Sequence, residues 1–166
     1  MRKTLLESVT GSAEETEALG RSLAETIAPA LESERFALVA LSGGLGAGKT
    51  AFTRGLVSFF SDGSYVRSPS YTIVNRYKGS LPSTRKLGIL HFDIWRLKTE
   101  DDLYSAGYFD SFPYGDETLK PEAATLMAVE WCDSVPGALP DSYWRVDIDG
   151  SGAGDRRITV SFEDGE

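Results

Sequence analysis

The sequence has little of what marks a secreted or membrane-spanning protein. Its 166 residues include one cysteine, Cys132, which excludes an internal disulfide and suits a reducing compartment. No apolar run approaches the length of a membrane span, and the first residues include no apolar segment of signal-peptide length. We therefore expect a cytoplasmic protein without a membrane partner.

Basic residues are also scarce. The 17 lysines and arginines are outnumbered by 25 aspartates and glutamates, so the formal net charge is −8. A protein that binds nucleic acid by itself usually carries a basic face. The charge therefore disfavours direct, independent binding of RNA or DNA, whereas an acidic surface suits docking on a basic protein partner.

What the sequence does contain is a glycine-rich loop between an apolar strand and a helix. The segment from Gly43 to Thr50 reads GGLGAGKT and follows the apolar run Phe36–Leu41. It satisfies the G-x-x-x-x-G-K-[ST] pattern of a phosphate loop in the strand–loop–helix context that the pattern needs. Glycines let successive backbone amides turn toward phosphate oxygens, and the helix N-terminus adds partial positive charge beneath them. We predict a nucleoside-triphosphate site, the alternative being a plain glycine-rich turn.

Residue types within this loop predict individual roles. Lys49 is expected to reach the β and γ phosphates, and the Thr50 hydroxyl is expected to take one coordination position on Mg²⁺. Apolar residues at helical spacing from Phe52 to Phe60 predict that the following helix buries one face. The loop residues that we assign to nucleotide binding are Gly43, Gly44, Leu45, Gly46, Ala47, Gly48, Lys49, Thr50 and Ala51.

Two acidic residues end apolar strands further along the chain. Asp93 lies in HFDIWR, within a strand predicted over Ile89–Trp95, and Glu130 lies in AVEW, within a strand predicted over Thr125–Trp131. Ligands of open α/β sheets bind outside the carboxyl ends of the strands. We predict that Asp93 holds Mg²⁺ and that Glu130 completes the metal shell or orients the attacking water. The alternative for each acid is a structural salt bridge.

Hydroxyl and aromatic residues accompany these acids. The segment SPSYT, which includes Ser70, follows the phosphate-loop helix at the place where nucleotide switches carry a γ-phosphate and Mg²⁺ sensor; the alternative is a Ser-Pro turn. Trp131 offers a flat surface for an adenine, but tryptophans are also common in cores and partner surfaces. His91 is expected to be a satisfied core residue, and Cys132 receives no functional role.

The remaining patterns predict an α/β fold. Ser12 and Glu15 form a capping box before a helix that Pro29 ends or bends, and Thr99 caps a short helix that Gly107 stops. Helices and buried strands alternate, so we expect one three-layer domain over residues 1–166, with a mixed central sheet and antiparallel edge strands. Other predicted elements are strands over Thr4–Val9, Phe36–Leu41, Tyr143–Ile148 and Arg157–Phe162, a hairpin loop over Gly79–Ser83, and a surface loop over Phe112–Glu122.

Five segments, in this order, resemble the TsaE (YjeE) family, the ATPase component of bacterial tRNA threonylcarbamoyladenosine biosynthesis. The resemblance covers nearly the whole chain. The segments are LGAGKTAFTRGL (Leu45–Leu56), SPSYTIVNRY (Ser68–Tyr77), HFDIWRL (His91–Leu97), EDDLYSAGYFD (Glu100–Asp110) and VEW with a later Leu139-Pro140.

The resemblance implies a P-loop ATPase that binds ATP and Mg²⁺, is weakly active alone, and works with the partner proteins TsaB and TsaD. It implies contact with tRNA only through that complex. Carried over by position, Ser70 stands where the family usually has a switch threonine, and Trp131 matches the tryptophan that follows the second acid. The sequence departs from the family at Gly44, where an acid is common, at Ser70, at Cys132, where proline is usual, and in a possible insertion over Gly115–Pro121.

Two other classes of function fit the same loop. A small-molecule kinase would need a mobile, arginine-rich lid, but the expected lid over Phe112–Glu122 contains only Lys120 as a basic residue. A nucleotide-binding scaffold without chemistry would keep the loop but would not depend on Glu130.

Overall fold

The computed structural model describes residues 1–62, 65–113, 121–150 and 152–165. Within them are seven strands, three α-helices and two short 3₁₀ helices, at Tyr108–Ser111 and Cys132–Ser134. In chain order the strands and α-helices are β1 (Arg2–Thr10), α1 (Ala13–Glu34), β2 (Phe36–Ser42), α2 (Lys49–Phe60), β3 (Val74–Ser80), β4 (Lys86–Asp93), α3 (Glu100–Ser105), β5 (Ala124–Glu130), β6 (Ser142–Asp149) and β7 (Arg156–Asp164).

All seven strands form one sheet in the order β1-β7-β6-β2-β5-β4-β3. Strands β6, β2, β5 and β4 run parallel, whereas β3 at one edge and β7 and β1 at the other are attached by antiparallel pairing. One apolar core packs α1 and α2 against one face, and a second core packs α3 and the Tyr108–Ser111 helix against the opposite face. The predicted three-layer α/β fold with a mixed sheet and antiparallel edges is confirmed.

Helix α1 differs from its prediction at both ends. The Ser12 side chain accepts from the Glu15 amide, but the Glu15 carboxylate accepts from Gly11 rather than from Ser12, so the capping box is not closed. The prediction that Pro29 ends or bends the helix is wrong in its first part, because α1 continues to Glu34. Burial of Ala28 and Leu31 on either side of Pro29 offsets the backbone hydrogen bond that proline cannot donate.

Helices α1 and α2 cross at unusually close range, which two glycines permit. A Cβ at Gly20 would lie 2.1 Å from the Phe52 carbonyl oxygen, and a Cβ at Gly55 would lie 1.8 Å from the Glu17 carbonyl oxygen. Such contacts are sterically forbidden, so any side chain at either position would push the helices apart. The crossing fixes the axis of α2, and therefore the point at which the glycine-rich loop enters that helix.

Several predicted boundaries move by a few residues. Gly79 belongs to β3 rather than to the hairpin loop, because it pairs with Leu87. Thr99 caps α3 as predicted, and it also closes a full capping box with Asp102. Most of the predicted surface loop and insertion, residues 114–120, lies outside the described residues. Among the described helices, none combines the length and apolarity that crossing a bilayer requires.

Candidate nucleotide site

Parallel pairing brings the glycine-rich loop and both predicted acids to one edge of the sheet. Strand β5 lies between β2 and β4, and Glu130 at its end is in register with Leu41 on one side and Asp93 on the other. The loop follows β2 directly after Ser42. The carboxyl ends of three neighbouring strands therefore present the loop, Asp93 and Glu130 together, although these parts of the site are far apart in the sequence.

The loop leaves the sheet through a backbone turn that needs glycine. Gly43 has a φ of +156°, and a Cβ there would lie 2.7 Å from the Ile148 carbonyl oxygen on β6. Helix α2 then begins at Lys49, with Gly48 as its N-cap and without a capping side chain. Its first amides and the positive end of its dipole therefore face the loop, where they favour an anionic ligand.

Lys49 is a nearly buried cation, 7% exposed. Its Nζ donates to the Gly43 carbonyl oxygen at 2.5 Å and lies 3.8 Å from Oε1 of Glu130. The same ammonium lies 4.6 Å from the ring centroid of Trp131. One hydrogen bond and two electrostatic contacts hold Lys49 inside the site, at the end of the loop.

Glu130 is held on its other oxygen by His91. Nε2 of His91 and Oε2 of Glu130 are 2.7 Å apart, and both side chains are buried. Within the described residues, Nδ1 of His91 has no hydrogen-bond partner. An unpaired acceptor is less costly than an unpaired buried N–H, so we assign the proton to Nε2, which then donates to the carboxylate. His91 was expected to be a satisfied core residue; it is buried in the core but bonds the predicted catalytic acid.

Asp93 is bonded by the serine of the SPSYT segment. Ser70 Oγ donates to Oδ2 of Asp93 at 3.1 Å and lies 2.8 Å from Ser68 Oγ. Burial raises the pKa of Asp93, and the neighbouring Glu130 raises it further, whereas hydrogen bonds from Trp95 and Ser70 and the charge of Lys49 act in the opposite direction. Two carboxylates thus share a buried site with one lysine, an excess of negative charge that a divalent cation would offset.

The side chains of this site fit a Mg²⁺ ion that is bound partly by the protein and partly by the phosphates of a substrate. Within the described residues, no three histidine, cysteine or acidic side chains form a closed metal cage. Mg²⁺ usually takes only one or two protein oxygens and completes its shell with water and substrate phosphates. Asp93 at the sheet edge would supply such an oxygen, and Thr50, the second residue of α2, would supply a hydroxyl beside the loop.

We expect Asp93→Asn to stabilise the protein without nucleotide at neutral pH. Because the folded pKa of Asp93 lies above the unfolded value, its ionisation costs stability as pH rises from about 4 through the folded pKa. Asparagine removes that cost and its single carbonyl oxygen still accepts from Ser70, whereas the longer bond from the Trp95 amide, at 3.3 Å, is lost. Melting curves at pH 7 should show a higher Tm for the variant, and the gain should shrink near pH 4. An equal gain at both pH values would contradict this explanation.

Two residues beside the acids adopt left-handed backbone conformations that few side chains favour. Ile73, between the SPSYT segment and β3, has a φ of +66°, and Trp131, directly after Glu130, has a φ of +68°. Such strain is most costly for a β-branched residue and often accompanies functional sites. No sequence pattern indicated this strain, since neither position carries glycine, asparagine or aspartate.

A cavity of about 350 Å³ borders the loop. Because Trp131 lines it and also contacts the Lys49 ammonium, the tryptophan lies at the end of the loop where phosphates are expected. At Gly44 the family that the sequence resembles often has an acidic residue. A Cβ added at Gly44 would have no atom within 4 Å, so a side chain would fit there without a clash. The cavity lining consists of Leu41, Ser42, Gly43, Gly44, Trp131, Asp133 and Ser134.

Comparison with known proteins decides the family. The model of the family described as "Threonylcarbamoyl adenosine biosynthesis protein TsaE" matches residues 10–158. The chain belongs to the TsaE family. This match includes the loop, Ser70, both acids and the start of β7.

Relatives of this TsaE-family chain include proteins of Haemophilus influenzae and Bacillus subtilis. The protein named tRNA threonylcarbamoyladenosine biosynthesis protein TsaE in Haemophilus influenzae is 33% identical, over 78% of this chain and 73% of its own length. The protein of the same name in Bacillus subtilis is 30% identical, over 75% and 68%. The crystal structure of Bacillus subtilis YdiB superposes with a TM-score of 0.66 and 25% identity, covering 97% of this chain and 86% of that one. The P-loop NTPase-like fold is thereby confirmed.

Proposed function

We propose that this TsaE-family chain binds ATP with Mg²⁺ at residues 43–51 and hydrolyses ATP in tRNA threonylcarbamoyladenosine biosynthesis. One observation carries the proposal: Lys49, Asp93 and Glu130 are buried together where a glycine-rich loop meets the N-terminus of α2. Lys49 pairs with Glu130, which leaves one buried carboxylate without a compensating positive charge, and a bound cation would supply that charge. The pathway in the proposal is taken from the names of the relatives, which place those proteins in tRNA threonylcarbamoyladenosine biosynthesis.

The proposed division of work follows the contacts of each side chain. Lys49 exchanges the Gly43 carbonyl and the Glu130 carboxylate for the β and γ phosphates. Asp93 and Thr50 hold Mg²⁺, which when bound offsets the charge of the phosphate oxygens. Glu130, oriented by the hydrogen bond from His91, positions the attacking water and accepts its proton.

Residues around these three complete the proposed site. Ser70 carries a hydroxyl already bonded to Asp93, so movement of the SPSYT segment would be linked to the occupancy of the metal position. Trp131 bounds the phosphate end of the cavity. The amides of the loop, including those of Gly44, Leu45, Gly46, Ala47 and Ala51, are proposed to contact the nucleotide.

Partner proteins are part of the proposal. We propose that the chain works with TsaB- and TsaD-like proteins in the cytoplasm and reaches tRNA only through their complex. The net charge of −8 supports an indirect route to tRNA, because phosphate backbones repel an acidic surface. ATP hydrolysis by the isolated chain is expected to be weak.

The test is capture of TsaB and TsaD homologues from the same organism by the tagged chain, with ATP and Mg²⁺, with ADP and Mg²⁺, and without nucleotide. We expect capture to depend on which nucleotide is present, because the SPSYT segment and Asp93 connect the phosphate end of the site to the surface. Inorganic phosphate released from γ-labelled ATP by the captured complex would support hydrolysis. Equal capture in all three conditions, or label transferred to a small metabolite instead of water, would contradict the proposal.

A further inference from the structure

Arg156 connects the C-terminal hairpin to the glycine-rich loop. It is the first residue of β7, directly after the turn that joins β6 to β7. Its Nε donates to the Ala47 carbonyl oxygen at 2.9 Å, and its Nη2 donates to the Gly46 carbonyl oxygen at 3.1 Å. These contacts join residues 109 and 110 positions apart, across the edge of the sheet where the acids lie.

The same guanidinium also holds its own turn. Nη2 donates to the Gly152 carbonyl oxygen at 2.7 Å, and Nη1 donates to the Gly154 carbonyl oxygen. Gly150 leaves room for this arrangement, because a Cβ there would lie 2.9 Å from Cδ of Arg156. A side chain that served only the hairpin would need only the bonds to Gly152 and Gly154. The other two of the four acceptors belong to the glycine-rich loop.

The two bonds to the loop determine where its amides point. In a planar trans peptide, the carbonyl of one residue and the N–H of the next point in opposite directions. Holding the carbonyls of Gly46 and Ala47 toward Arg156 therefore turns the N–H groups of Ala47 and Gly48 away from it. The Ala47 N–H donates to the Gly44 carbonyl oxygen at 3.2 Å within the loop, a bond that a phosphate oxygen would replace. A phosphate loop requires inward amides held by outward carbonyls.

We infer that Arg156 is a positioning residue of the nucleotide site, which fixes the loop amides for phosphate before the nucleotide arrives. The inference rests on the proposed function, since it assigns Arg156 to the same site. It makes the C-terminal hairpin part of the binding machinery and not only an edge of the sheet. Preorganised donors avoid the cost of ordering the loop during binding, so Arg156 should act on nucleotide affinity.

The experiment compares Arg156→Gln and Arg156→Lys with the unchanged protein and with Arg157→Gln, which removes the exposed neighbouring arginine. Calorimetric titration with Mg·ADP should show affinity lower by about tenfold for Arg156→Gln, from the loss of charge-assisted hydrogen bonds to the loop. Lysine keeps the charge but not the fork, so Arg156→Lys should recover only part of the affinity. Arg157→Gln should bind as the unchanged protein does.

Amide hydrogen exchange without nucleotide separates this role from general support of the fold. We expect faster exchange in Arg156→Gln over residues 43–50 as well as over the β6–β7 turn, with a Tm close to that of Arg157→Gln. Unchanged affinity, or faster exchange confined to the turn, would overturn the inference. If the unchanged protein binds neither ADP nor ATP, the proposed function fails, and exchange over residues 43–50 still decides whether Arg156 orders the loop.

Discussion

Lys49→Ala is expected to abolish detectable ATP binding, with a loss of at least about a hundredfold in affinity. Lys49 is the buried cation nearest the loop, and two charge-assisted hydrogen bonds to phosphate oxygens are worth roughly 3 kcal/mol together. Its removal also leaves the Glu130 carboxylate near the incoming phosphates without the compensating charge 3.8 Å away. Calorimetric titration with ATP and Mg²⁺ measures the effect directly.

The matched control is Lys86→Ala, at the exposed start of β4 and therefore at the opposite end of the strand that terminates in Asp93. It removes one positive charge from the protein without touching the loop, so its ATP affinity should equal that of the unchanged protein. Melting curves of both variants show whether the fold survives. ATP affinity that persists in a folded Lys49→Ala variant would refute the assignment of residues 43–51 to phosphate binding.

The parts of the site that the sequence predicted were those specified by local patterns. The spacing of glycines before Lys49 and Thr50 requires only a strand before it and a helix after it, and both are present. Asp93 and Glu130 were placed correctly at strand ends because apolar runs end where the chain leaves the core. Their proximity then follows from parallel pairing of β4 with β5, which puts the two acids in register.

The parts that the sequence did not predict depend on contacts between distant residues. The bond from His91 to Glu130 requires knowledge that β4 and β5 are neighbours with matched register, and nothing in HFDIWR alone indicates the partner of the histidine. Arg156 lay just before the strand predicted over Arg157–Phe162 and received no role, and only the sheet order brings the β6–β7 turn to the loop. Pro29 misled the helix prediction because tertiary burial outweighs local propensity.

Glu130→Gln is expected to reduce ATP hydrolysis in the partner complex by at least about a hundredfold while leaving ATP binding nearly unchanged. Glutamine has the same size and still accepts from Nε2 of His91, so the buried hydrogen bond survives. It has no charge with which to polarise water and no basicity with which to take its proton. Phosphate release by the complex and calorimetric titration of the isolated chain measure the two quantities separately.

The substitution should even favour nucleotide slightly, because Lys49 loses a competing carboxylate and the phosphates lose a repulsive neighbour. Glu7→Gln is the matched control, since Glu7 lies exposed on β1, at the edge of the sheet, and carries the same change in charge. If Glu130→Gln and Glu7→Gln turn over ATP equally in the complex, the chain is a nucleotide-dependent scaffold and Glu130 serves only to balance Lys49. If Glu130→Gln loses binding and hydrolysis to the same extent, the carboxylate is structural. Hydrolysis lost with binding retained is the result that only a catalytic role for Glu130 explains, because the hydrogen bond, the side-chain volume and the fold are then all unchanged.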